Sequence, residues 1–270
     1  MKLLRYGLGN ETYTGILTGD EIMRLGVEHI AELMGADPAF VETGIIDKLA
    51  DARVLAPLQP GKILAIGRNY AEHARELGNE APAEPLVFAV MPSAVIGDGA
   101  VIEWEAHMTA QVDWEGELAV IIGATARKVS PDVALDTVFG YTIANDVSAR
   151  DLQARDKQWT RAKGLDTFCP LGPVIVTADE IPDPQKLRIV TTVDGVEKQH
   201  GSTADMIFDV RTLIAHLSRA FTLHPGDIIL TGTPAGVGKG QSPPQFLTDG
   251  SVVSVEIEGI GKLTNSCRVL

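Results

Sequence analysis

Short apolar runs bounded by turn residues recur along this chain far more often than helical stripes do. The opening "KLLRYGLGNETYTGILTG" alternates like a hairpin, whereas "GDEIMRLGVEHIAELMG" carries apolar residues at helical spacing. "LAPLQPGK" then interrupts the pattern, so residues 1–58 read as a small N-terminal domain and 59–270 as the main domain. Beyond that boundary "ILAIG", "LVFAV", "ELAVIIG", "GYTIAND", "GPVIVT", "LRIVTTVDGVEK", "DIILTG" and "SVVSVEIEGIGKLTN" read as strands. Asp194-Gly195, set between two β-rich runs, marks a hairpin turn. Helical segments are fewer: about 69–77, 148–159 and "FDVRTLIAHLSRAF". Because strands do not alternate regularly with helices, a doubly wound sheet or a TIM barrel is disfavoured. The pattern predicts an α+β fold, a β-rich roll with a small N-terminal α/β appendage.

Composition narrows the function. At 270 residues with 45% apolar content the chain builds a substantial core. The formal charge is −13, and a surface of that sign repels nucleic acid and anionic membranes. An anionic substrate then needs a local positive centre, which a bound cation supplies. Two cysteines are too few for a disulfide framework or a zinc cluster. No run approaches a membrane span and no signal-peptide core opens the chain, so a cytoplasmic protein is expected.

The candidate chemistry centres on "QVDWEGELAVIIG", in which Asp113, Glu115 and Glu117 lead into a buried-type strand. Alternation turns Glu115 and Glu117 to one face and Gly116 to the other. Two carboxylates side by side repel, and a divalent cation removes the conflict; hard oxygen donors suit Mg²⁺, Mn²⁺ or Ca²⁺ better than zinc. A third ligand is available in Asp146, where "YTIANDVSARD" turns from strand to helix. On these residues alone, the solvated face of an edge strand is the commoner explanation of E-x-E, and Asp113 reads as ordinary surface charge.

Three further stretches carry polar groups at suggestive spacing. On a helix, His73 and Glu76 of "AIGRNYAEHARELG" are i and i+3, the arrangement of an oriented general base or of a plain surface ion pair. Lys163 sits in a Gly/Pro-bounded loop, placed either to meet an anion or simply to be solvated. "PGDIILTGTPAGVG" lacks the Gly-Lys-Ser/Thr ending of a P-loop; a turn whose N–H groups and Thr hydroxyls grip a carboxylate is the economical reading. His107, His200, His216 and His224 read as structural or exposed, and Cys169 as a packed side chain.

In order, "GRNYAEHARE", "DWEGELAVIIG", "GYTIANDVSARDLQ", "AKGLDTFCPLGP" and "LTGTPAGVG" resemble the fumarylacetoacetate hydrolase family, over roughly residues 60–270. The resemblance implies a mixed β-roll and a homodimer. It implies Mg²⁺ or Mn²⁺ held by Glu115, Glu117 and Asp146, and a His73/Glu76 dyad on a lid that orders over substrate. It also implies an oxyanion-stabilising Lys163 and substrate contacts from Arg68, Gln153 and Thr233. The activity it implies is metal-dependent chemistry on a small 2-oxo acid through an enolate. Acylpyruvate-type C–C hydrolysis ranks first, ahead of oxaloacetate-type decarboxylation and of isomerisation of a 2-hydroxy-diene-dioate in aromatic breakdown. A metal-stabilised binding module is the non-enzymatic alternative. One departure stands out: Val90 and Met91 occupy positions before Pro92-Ser93 where relatives often carry a lysine.

Overall fold

The computed structural model describes residues 1–34 and 42–270. Two mixed sheets and a two-stranded ladder, Val112–Asp113 with Ser148–Ala149, carry the described residues. The larger, twelve-stranded one is ordered Glu42–Lys48, Glu21–Leu25, Glu11–Thr18, Lys2–Leu8, Cys169–Thr177, Val138–Asn145, Gly116–Ile122, Ile228–Leu230, Ile63–Gly67 and Leu86–Val90, with two short strands off this path. Its pairs are antiparallel except where Ile228–Leu230 runs parallel to Ile63–Gly67 and where a short strand adds to Cys169–Thr177. The second sheet runs Val196–Ser202, Arg188–Val193, Val252–Ile257, Gly261–Val269, Val101–Trp104.

The strand Gly116–Ile122 is buried on both faces, which is why its sequence is a continuous apolar run rather than an alternation. Leu118, Val120 and Ile122 pack with Ile189, Val255 and Ile257 of the second sheet and with Leu213, Ile214 and Leu217 of the helix Val210–Ala220. Ala119 and Ile121 face the other way, onto Ile63, Ala65, Phe88 and Ile228. That helix starts where Asp209 accepts the Thr212 N–H and lays an apolar stripe on the core.

The expected N-terminal hairpin forms between Lys2–Leu8 and Glu11–Thr18. The first strand also pairs with Cys169–Thr177, so the N-terminal strands extend the main sheet. The helical spacing within 19–35 is used differently: Glu21–Leu25 is a strand paired with Glu11–Thr18, and Ile30–Leu33 is a single 3₁₀ turn, while Gly35 lies outside the described residues. Sheet pairing overrides local periodicity here, because Ile22 and Leu25 become buried as strand residues. Asp194 and Gly195 both take positive φ, +52° and +78°, as a two-residue hairpin turn requires.

Candidate active site

Gly116 explains how the acidic pair is aimed. A Cβ at this position would lie 2.3 Å from Thr191 Oγ1 and 2.9 Å from Val255 Cγ1, so the strand presses directly on the second sheet. Glu115 and Glu117 consequently project from the opposite face, as alternation demands. The strand Val138–Asn145 pairs alongside with Gly116 opposite Asn145, which brings Asp146 to the same end. The Asn145 side chain accepts the Glu115 N–H at 2.9 Å, and the Asp146 N–H reaches the Glu115 carbonyl at 2.9 Å. Carboxylate oxygens of Glu115, Glu117 and Asp146 lie within 4.8 Å of one another, and all three residues are buried.

Two cations offset this charge. Lys163 Nζ lies 2.5 Å from Glu115 Oε2 and 2.6 Å from Asp146 Oδ2. Arg150 donates from Nε to Asp113 Oδ2 at 2.7 Å, and its Nη2 lies 2.7 Å from Glu115 Oε1, close but off the hydrogen-bond line, so that contact is chiefly Coulombic. Burial by itself raises Glu115, but Lys163 and Arg150 overcome it and hold the carboxyl at about 2. Glu117 is pushed well up by burial and then by Asp146 and Glu115. Asp146 is pushed up to about 6, by burial against the pull of Lys163. Asp146 Oδ1 is buried with no hydrogen-bond partner among the described residues. An unpartnered buried carboxylate oxygen, three hard donors within reach of one centre and two carboxyls raised chiefly by burial fit a hard divalent cation.

The dyad assembles as the helical spacing predicts: Ala71–Glu76 is a helix, and His73 Nδ1 lies 3.2 Å from Glu76 Oε2. It is no surface pair, since His73 is 5% exposed. The Gly-rich loop 231–240 does grip carboxylates, and they are the protein's own. Its N–H groups reach Glu117 from Gly232 at 2.7 Å, Glu76 from Gly236 at 3.0 Å, and Asp113 from Gly238 and Lys239 at 2.6 and 3.0 Å. Gly232, at φ +95°, permits a turn whose Cβ would strike Asn69.

A cleft of about 290 Å³ is lined by Glu115, Glu117, Lys163 and His73 together with the expected Arg68, Gln153 and Thr233. Arg68 holds a left-handed backbone at φ +59°, an arrangement kept at sites that fix a side chain, and its guanidinium lies 6.0 Å from the Trp159 ring centre. The Gln153 side chain accepts from Arg150 at 3.2 Å. The Thr233 hydroxyl is engaged within the protein, donating to the Gly116 carbonyl. Met91 packs on Gly164, next to Lys163.

Asp113 corrects the sequence reading: it is 0% exposed and anchors Arg150 and the loop rather than facing solvent. Arg150 and Lys239, which also line the cleft, were not legible as site residues. Each becomes one only through contacts distant in sequence, although the unusual density of acids in 113–117 was a signal that a buried cation should exist. Cys169 is buried and its thiol is pushed far up by desolvation, consistent with a packed side chain.

Residues 62–268 match the family described as fumarylacetoacetate (FAA) hydrolase C-terminal. Oxaloacetate tautomerase YisK of Bacillus subtilis is 48% identical over 221 residues, spanning 80% of this chain and 73% of that protein. The fumarylacetoacetate hydrolase of psychrophilic Exiguobacterium antarcticum superposes with a TM-score of 0.91 at 41% identity, with 100% of both chains covered. Maleylpyruvate hydrolase from Sphingobium sp. SYK-6, solved with manganese(II) and pyruvate, superposes at 0.79 with 30% identity, over 100% of this chain and 99% of that one. Ordered motifs, a shared fold over the full length and an acidic triad beside a His/Glu pair lead to one assignment: the chain belongs to the fumarylacetoacetate hydrolase family.

Proposed function

We propose that this protein is a divalent-metal-dependent enzyme acting on small 2-oxo acids, with hydrolytic C–C cleavage of an acylpyruvate-type substrate as its first activity. The observation that carries the reading is that Glu115 and Glu117, clustered with Asp146, line one cleft with His73, which Glu76 orients. Glu115, Glu117 and Asp146 would hold Mg²⁺ or Mn²⁺, and a manganese–pyruvate complex of a relative at 30% identity supports that choice. Such a cation supplies Lewis-acid stabilisation of negative charge on the substrate's oxo and carboxylate oxygens.

The chain's own residues handle the protons and the remaining charge. Glu76, fixed by the Gly236 N–H, engages His73 Nδ1 and leaves Nε2 free to take a proton from water. The resulting hydroxide adds to the distal carbonyl; the bond to C3 breaks, and its electron pair passes to the pyruvate-like fragment, which is then protonated at C3. Lys163, fixed between Glu115 and Asp146, presents its ammonium to the same cleft, where negative charge grows. Arg68 and Lys239 also line the cleft and have no carboxylate partner among the described residues, so they suit the substrate's far end.

Keto–enol tautomerisation of an oxaloacetate-like acid is the second reading, favoured by the 48% identity to an enzyme named for that reaction. It needs proton transfer but no attacking water. The Mg²⁺-loaded protein, incubated with acetylpyruvate and with oxaloacetate and followed by NMR, separates the two. Acetate plus pyruvate indicates hydrolysis, and enol–keto exchange with all carbons retained indicates tautomerisation. Turnover undiminished in excess EDTA counts against the metal, and undiminished cleavage by His73→Ala counts against the hydrolytic step.

A further inference from the structure

The peptide between the two glutamates is held from outside the triad. Gly116 donates its N–H to Gln199 Oε1 at 2.9 Å. Gln199 Nε2 donates to Thr233 Oγ1 at 2.7 Å and to the Pro234 carbonyl at 2.8 Å. The Thr233 hydroxyl then donates to the Gly116 carbonyl at 2.9 Å, which closes a ring. The chemistry admits one orientation of the amide, because Gly116 N–H can only donate and Pro234 C=O can only accept. Both polar atoms of the Gln199 side chain have partners, and the residue is 0% exposed.

A bulge delivers Gln199 to this place. In the hairpin Arg188–Val193/Val196–Ser202, Val193 pairs with Val196 and Thr192 with Glu197, so an unbroken ladder would put Lys198 opposite the inward-facing Thr191. The register shifts by one residue, and Gln199 pairs with Thr191 instead. An extra residue in one strand re-aims the next side chain to the other face, and here it exchanges a lysine for an amide in the buried position. The bulged backbone also abuts the Gly-rich loop. At Gly236, whose N–H holds Glu76, a Cβ would lie 2.0 Å from the Lys198 carbonyl oxygen.

We infer that Gln199 is a positioning residue for the acidic triad, locking the Glu115–Glu117 peptide and the Gly-rich loop into one rigid unit through the ring with Thr233. The ring fixes the backbone from which both glutamates project, so it sets the mutual placement of their carboxylates. The inference rests on the proposed cation site, which it extends to a residue of the second sheet that touches neither cation nor substrate.

The test is a double-mutant cycle read by Mn²⁺ affinity, using calorimetry on the full chain. Gln199→Met keeps the volume and removes the ring's amide, while Thr233→Val removes the hydroxyl. Each single variant is expected to weaken Mn²⁺ about tenfold, the usual effect of losing an outer contact to a metal ligand. The double variant is expected to bind no worse than the weaker single, since either change opens the same ring. Gln199→Glu is expected to fail as a rescue, because it sets an oxygen against the Pro234 carbonyl. Affinities within twofold of wild type, or losses that simply add, overturn the inference. Amide hydrogen exchange, measured without metal, separates its failure from that of the parent reading. Gln199→Met should speed exchange in 113–118 and 231–236 while sparing the helix Val210–Ala220, and unchanged protection in 113–118 and 231–236 overturns the ring's role. Absence of Mn²⁺ uptake by wild type overturns the cation site instead and leaves exchange to decide the ring.

Discussion

Removal of the Asp113 carboxylate is expected to cost more stability than any single surface change. Asp113→Ala strips Arg150 of its 2.7 Å partner and leaves the buried Trp114 and Gly238 N–H groups, and the less buried Lys239 N–H, without their acceptor. Breaking a buried ion pair by deleting one partner costs about 3–5 kcal/mol, and each buried N–H left without an acceptor about 1–3 kcal/mol. Arg150 keeps its contact with Glu115, so the lower ends of these ranges apply. Together they give about 5 kcal/mol, a drop in Tm of about 10–20 °C for a chain of this size. Thermal unfolding by circular dichroism, with urea unfolding as an equilibrium check, measures the loss. Asp113→Asn keeps acceptor capacity and should fall between the variant and wild type. A drop below about 3 °C for Asp113→Ala, outside the range that the partner losses allow, refutes the argument that Asp113 is an anchor.

Two other outcomes follow from the same geometry. Asp146 is raised to about 6 and Glu117 well above its ordinary range, so in the absence of cation the folded state binds protons that the unfolded chain releases. Each group's contribution to stability is therefore present at low pH and is lost as pH rises through its own folded-state pKa, about 6 for Asp146. A cation competes with those protons, so Mn²⁺ affinity should climb from pH 5 to pH 6 by up to about tenfold per proton displaced; calorimetric titrations showing a pH-independent affinity contradict this. Gly240→Ala places a Cβ 2.3 Å from Glu76 Cδ, which should push Glu76 off both His73 and the Gly236 N–H and lower kcat by about 10²-fold. Tm should change little in this variant; steady-state kinetics alongside thermal melts separate the two effects.

The sequence by itself determined most of the strands beyond residue 58, the Asp194-Gly195 turn, the helices Ala71–Glu76, Arg150–Asp156 and Val210–Ala220, and the candidacy of the three acids, because each is written in local periodicity or in an ordered set of short motifs. It also determined that Glu115 and Glu117 share a face, since alternation is a property of any strand. Tertiary structure alone decided what those groups meet. Asp113 looks like solvated charge until a helix residue 37 positions away brings a guanidinium to it, and Gln199 is an unremarked polar residue until a one-residue bulge turns it inward. The Gly-rich loop announces backbone donors, but only the fold assigns them to Glu117, Glu76 and Asp113. Near the N-terminus, local spacing pointed to a helix within 19–35, and pairing with a neighbouring strand decided otherwise at 21–25. The physical reason is common to all of these: alternation and propensity act over a few residues, whereas burial, which sets both the worth of a charge pair and the face a side chain takes, depends on segments that meet only when the chain is folded.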